Sequence, residues 1–158
     1  MDYLDETGQR QRADSIYEHL LTLQLQDGSF RGPVNEVGES LSHPVWHTSQ
    51  VLITSLRRKP CEKDEEIQKM VKYILDSRDP QSDHWRSFSR YDVYFTSYAI
   101  LALIKLNNRP TNVIEKSIDW LCSQMSESGK VKDAGGTIMA ALALRSLFPN
   151  MTKGRAFY

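Results

Sequence analysis

Three times in 158 residues a threonine opens a run of largely apolar side chains. The first run is Thr48-Ser49-Gln50-Val51-Leu52-Ile53, the second Thr96-Ser97-Tyr98-Ala99-Ile100-Leu101-Ala102-Leu103, and the third Thr137-Ile138-Met139-Ala140-Ala141-Leu142. The three threonines stand 48 and then 41 residues apart. A threonine, or Ser97 beside it, suits a helix N-cap, because its hydroxyl accepts a hydrogen bond from a free backbone N–H of the first turn. A helix that is apolar nearly all round is buried on most sides. Such a segment recurring at this period is a supersecondary repeat: one unit cannot bury its own apolar surface, so neighbours must stack to do it.

A different kind of segment precedes each run. Ile16, Tyr17, Leu20, Leu21 and Leu23 form a stripe of helical period starting at Asp14 or Ser15. Ile67, Met70, Val71, Ile74 and Leu75 form a second, and Val113, Ile114, Ile118, Trp120 and Leu121 a third, capped at Thr111 or Asn112. Gly28 suits the stop of the first helix, because glycine accepts positive φ. Residues 31–44, 76–94 and 126–136 read as loops from their Gly, Pro, Asn and Ser content. Arg57, Arg58 and Lys59 close the second helix, where cations offset the helix dipole. No stretch of useful length alternates with period two. The expected fold is therefore all-α: three helical hairpins in a curved two-layer array, with three amphipathic outer helices around three buried inner ones. Residues 1–12 read as a polar arm and 149–158 as a tail. One domain covers 13–148, in repeats of about 13–59, 60–109 and 110–148.

Composition removes several function classes. Twenty basic and twenty acidic residues balance to a net charge of zero, which argues against a nucleic-acid partner. No apolar run approaches the roughly 20 residues that span a bilayer. The start, Met1-Asp2-Tyr3-Leu4-Asp5-Glu6, lacks the basic and apolar regions of a signal peptide. Cys61 and Cys122 form no CxxC motif, and free thiols suit a reducing compartment, so a cytoplasmic location is expected. No two of Cys61, Cys122, His43, His47 and His84 share a metal-ligand spacing, so no metal and no cofactor are expected. P-loop, GxSxG and GxGxxG motifs are absent.

The stretch Gln24-Leu25-Gln26-Asp27-Gly28-Ser29-Phe30 resembles the Gln-x-x-x-Gly-x-Trp repeat of squalene cyclases and the related prenyltransferase repeats, with Phe30 in place of Trp. Gln124 with Gly129 and Val131 is a looser copy with one extra residue, and Gln81-Ser82-Asp83-His84-Trp85 a degenerate one. The family implies an α/α toroid whose inner helices line a cavity, with the preceding loops at its rim. A complete toroid of this kind holds about twice as many hairpins, so the chain resembles half of one. The open edges, on helices carrying Ile100, Leu101, Ala141 and Leu142, would then be covered by a second copy or another toroid-forming subunit.

Class II terpene cyclases protonate an alkene or epoxide with the middle acid of an Asp-x-Asp-Asp motif. Asp92-Val93-Tyr94-Phe95 stands in the matching place, with Asp92 as the first acid and Tyr94 and Phe95 where the donor and its neighbour belong. Asp92 and His47 are the candidate catalytic groups, each with an equally plain reading as a helix-flanking residue. Trp46, Trp85, Tyr91, Tyr94, Phe95 and Tyr98 are the candidate substrate-binding residues. In this family aromatic walls stabilise carbocations, at about 0.5–2 kcal/mol per ring, although rings also serve simply as packing. The resemblance thus implies a terpene-cyclase-like domain or subunit holding an isoprenoid. The alternative is a non-enzymatic scaffold that binds a protein or peptide on its concave face.

Overall fold

The computed structural model describes residues 6–32, 43–58, 61, 63–86, 91–126 and 134–147. The expected tail 149–158, and Gly129 and Val131 of the looser repeat copy, lie outside them. Six helices and no strand occur among the described residues: α1 (Glu6–Thr22), α2 (Pro44–Arg58), α3 (Glu65–Asp76), α4 (Asp92–Leu103), α5 (Thr111–Gln124) and α6 (Ala134–Leu147).

Helix α4 is the hub. It packs against α2 on one side and α6 on the other, and α5 backs it, as α3 backs α2. The layers follow from the side chains. Helices α3 and α5 each bury one narrow stripe, Ile67, Met70 and Ile74 in one and Ile114, Ser117 and Leu121 in the other, at identical spacing. In α4, Phe95, Thr96, Ser97, Ala99, Ile100, Ala102 and Leu103 are all buried, because this helix has neighbours on several sides. Ile100 therefore belongs to the core and not to an edge, whereas Ile138 and Leu142 of α6 stand 60% and 44% exposed.

Helix α1 starts at Glu6, so residues 6–12 are helix and not arm. The segment lacks an apolar stripe, but Glu, Gln, Arg and Ala are good helix formers. Arg58 of α2 holds α1 alongside through an ion pair with Asp14 and by standing 5.0 Å over the Tyr17 ring.

The inner helices also begin about a turn earlier than expected, at Pro44, Asp92 and Ala134. Pro44 at the first helical position has its φ already set for a helix, a signal that could have located this start. Thr48 and Thr96 are consequently not caps. Both are fully buried one turn inside their helices. The backbone N–H of Phe30 donates to Thr48 Oγ1 at 3.0 Å, and that of Trp85 donates to Thr96 Oγ1 at 3.1 Å. Two residues before each aromatic residue the chain turns with positive φ, +88° at Gly28 and 57° at Asp83. Gly28 is pressed onto α3, and Gln24 Nε2 reinforces that contact by donating to the carbonyls of Gly28 at 3.2 Å and Glu66 at 2.9 Å. Asp83 meets α5 instead, where Ser117 Oγ donates to its carbonyl at 2.8 Å.

A Cβ on Gly28 would lie 2.2 Å from the Lys69 carbonyl oxygen, in a backbone conformation that L-residues rarely adopt. Gly28→Val is expected to cost about 3 kcal/mol of stability, measured by denaturant titration. An unchanged midpoint would mean that the turn does not seat on α3.

Candidate functional site

The N-terminal halves of α2 and α4 lie side by side, and seven rings gather there: His43, Trp46, His47, Tyr91, Tyr94, Phe95 and Tyr98. Trp46 and Tyr94 occupy the same place in the two repeats, each two residues before its buried threonine. Tyr94 and Tyr98, four apart, share one face of α4. Their centroids are 5.0 Å apart, and Trp46 meets Tyr94 at 6.0 Å and Tyr98 at 6.3 Å, all edge to face. That is the arrangement aromatic quadrupoles favour. The rings fill the space between one another, so they make a wall and not a cage. Trp46, Tyr94 and Tyr98 are half-buried, which leaves part of each ring open. Phe95 is buried behind them against His43 at 5.4 Å, and Tyr91 is 53% exposed at the margin.

Trp85 is not part of the wall. It is completely buried, and its indole N–H donates to the Ile74 carbonyl at 2.6 Å. It is a core residue that ties the end of α3 to the start of α4.

Asp92 is the first residue of α4, and its Oδ2 lies 3.6 Å from Nε2 of His84. Two further contacts hold that imidazole. Its other nitrogen is 3.1 Å from the Ser82 carbonyl, and its ring stacks on Trp120 at 4.1 Å, with 5° between the planes. Its neighbour Trp85 is anchored in the core. The pairing of His84 with Asp92 was missed from sequence. The one available signal was the position of His84 in the degenerate repeat, immediately before the aromatic residue. Asp83, the other nearby acid, is engaged by Arg78 at 2.8 Å.

The remaining groups are tuned by burial. Burial lowers the pKa of His43, with the charge of Asp92 acting in the opposite direction, and burial lowers that of His47, which rests on Trp46 at 4.6 Å. Burial thus holds both imidazoles toward the neutral form. Tyr94, in the place of the cyclase acid, is pushed up to about 12 by desolvation, then by its hydrogen bond to Tyr98 and by the charge Tyr98 would carry. Its phenol holds its proton more tightly than free tyrosine and is a correspondingly poor acid.

Among the described residues no group of three or more His, Cys, Asp or Glu is placed to hold a metal ion. No described helix is long and apolar enough to cross a membrane. Cys61 and Cys122 form no disulfide. A groove of about 310 Å³ lies elsewhere, along α3 and the end of α4, lined by Gln68, Val71, Lys72, Leu75, Asp76, Leu106 and Asn108. No family model, no curated protein and no solved structure matches the chain.

Because the pKa of Tyr94 is raised in the fold, its contribution to stability is complete below the ordinary tyrosine value near 10 and is lost as pH rises toward about 12. Absorbance titration should show one tyrosine ionising well after the others, and Tyr94→Phe should remove that last step and lessen the alkaline loss of stability. Persistence of the late step in the variant would assign it to another tyrosine.

Proposed function

We propose that this chain is one half of a terpene-cyclase-like α/α toroid. Its wall of Trp46, Tyr94 and Tyr98, extended by Phe95 and Tyr91, shapes one side of a hydrophobic cavity for an isoprenoid. A second chain, either another copy or a different toroid-forming subunit, closes the cavity. The observation that carries this reading is the wall itself: three half-open rings, edge to face, two of them (Trp46 and Tyr94) at matching places in two repeats, with Asp92 at the same end of α4. Such a surface offers apolar area and ring quadrupoles to a long hydrocarbon. The layered packing of α2, α4 and α6 over α3 and α5, and the turn that Gln24 and Gly28 fasten to α3, agree with the repeat this family uses.

The chemistry supports binding further than it supports turnover. A phenol with a pKa of about 12 cannot protonate an alkene, and burial disfavours the protonated form of His47. Asp92 is the remaining acid of the motif-like segment, and as a proton donor it would have to carry its proton at neutral pH beside His84 and His43. A non-enzymatic scaffold is the second reading. Exposed Ile138 and Leu142 on α6 favour it, as does the groove beside α3, where Lys72 and Asp76 flank Val71, Leu75 and Leu106.

Two outcomes follow. The purified chain is expected to bind squalene in equilibrium dialysis, about tenfold more weakly after Trp46→Ala with Tyr98→Ala, and to form no product from squalene, oxidosqualene or geranylgeranyl diphosphate. Product that disappears in Asp92→Asn would make Asp92 the acid and the isolated chain an enzyme, and failure to bind would remove the isoprenoid reading. Light scattering at micromolar concentration should give a dimer or larger. A mass of about 18 kDa throughout, with no partner in pull-downs, would remove the half-toroid assembly.

A further inference from the structure

Two polar atoms on α2, the helix that carries Trp46 of the wall, make no hydrogen bond among the described residues. Trp46 Nε1 and Ser49 Oγ are both buried and have no hydrogen-bond partner among the described residues. They are three residues apart on α2, so they occupy neighbouring positions on one face of that helix. The contrast with the other helical hydroxyls is informative. Thr48 donates to the Pro44 carbonyl at 2.8 Å, Ser55 to Val51 at 2.8 Å and Ser97 to Val93 at 2.7 Å, each four residues back. Ser97 is the counterpart of Ser49 in the next repeat. Ser49 is fully buried and yet lacks the bond that its counterpart makes. Trp85 likewise spends its indole N–H on the Ile74 carbonyl, whereas Trp46 keeps its own unspent. A buried donor without an acceptor is costly, and two on one face of α2, one of them on a ring of the wall, describe a site for an acceptor.

The geometry points to an oxygen-bearing ligand: Trp46 Nε1–H and Ser49 Oγ–H together receive a neutral acceptor oxygen, the hydroxyl or carbonyl of an oxygenated isoprenoid, whose hydrocarbon part lies on Tyr94 and Tyr98. This rests on the isoprenoid reading and narrows it. The charge on the two helices that carry the wall argues against a diphosphate. In α2 the only Lys or Arg residues are Arg57 and Arg58 of the last turn, and α4 contains none. The histidines beside the wall, His43 and His47, are held toward the neutral form by burial, and the acid at this end, Asp92, repels an anion. A neutral oxygen requires only the two donors.

The test uses three probes of equal chain length: farnesol, farnesene and farnesyl diphosphate. Equilibrium dialysis with the wild-type chain should show farnesol bound most tightly. Ser49→Ala and Trp46→Phe, the latter keeping an aromatic ring in the wall, should each weaken farnesol about fivefold and leave farnesene unchanged. Melting without ligand supplies an independent reading. Ser49→Ala should melt no lower than the wild type, since it loses no bond, while Ser97→Ala should melt lower. If farnesene binds and farnesol binds no more tightly, or if both variants bind farnesol as the wild type does, the two donors serve an internal water and the proposal falls while the isoprenoid reading stands. Preference for the diphosphate would also overturn it, and binding of none of the three would overturn both readings. A lowered melting temperature in Ser49→Ala would show that the hydroxyl has a partner within the fold, and the site would then not exist.

Discussion

The bond on which the rest of the structure depends runs from a backbone N–H to a threonine hydroxyl, and it occurs twice. Phe30 and Trp85 are 3% and 0% exposed, so their N–H groups cannot turn to water, and Thr48 and Thr96 supply the acceptor. Leaving such a donor unmet would cost about 1–3 kcal/mol, a large share of the stability of a domain this size. The bond also sets distances. It fixes the turn after an outer helix against the second turn of the next inner helix, and it forces the aromatic ring beyond the turn into the core. The first turn of the inner helix then projects past the clamp. Trp46 and Tyr94, each two residues ahead of a clamp threonine, are carried on that projecting turn, and for that reason the aromatic wall lies at this end of the fold.

The two clamps have diverged where divergence costs least. In the first turn, Ser29 gives both its N–H and its hydroxyl to Asp27, at 2.9 Å and 2.7 Å, and the carboxyl of Asp27 is held below its ordinary range by those bonds, chiefly that from the Ser29 hydroxyl. The second turn is one residue longer: its closing bond runs from Asp79 to His84, five residues on, where the first runs from Leu25 to Ser29, four on. His84 replaces Ser29 and Asp83 replaces Gly28. The imidazole is stacked on Trp120 and lies beside Asp92. His84 in place of Ser29, with Asp92 where the other repeat has Pro44, thus brings an ionisable pair to the end of α4.

Helix α4 joins these features because it is the only described helix packed against three others to this extent, α2, α5 and α6. Its apolar character all round is the consequence, and so is the placement of its polar residues. Thr96 and Ser97 are buried and hydrogen-bonded, while Asp92 and the two tyrosines sit near the N-terminal end, where the packing opens. The wall is built from two neighbouring inner helices, so Trp46 of one is braced by Tyr94 and Tyr98 of the other.

The periodicity of the side chains by itself determined the helical class, the number of helices and the division into amphipathic and apolar kinds, because burial on one stripe or on all sides leaves a direct mark on residue order. It also marked the threonines as the recurring feature and Gly28 as a position of positive φ, although α1 itself ends at Thr22 and Gly28 belongs to the turn that follows. It did not determine what the threonines do. A hydroxyl at a cap and a hydroxyl one turn inside a helix look alike in sequence, and only packing showed the acceptor bonded to an N–H 18 or 11 residues away. The same limit applies to the aromatics. Trp46 and Trp85 read alike as rings before an inner helix, yet one stands in the half-open wall and the other is wholly buried. Which ring faces outward, which histidine meets Asp92 and which buried donors lack partners depend on how helices and turns distant in sequence are brought together. Those are relations between side chains that no local spacing records.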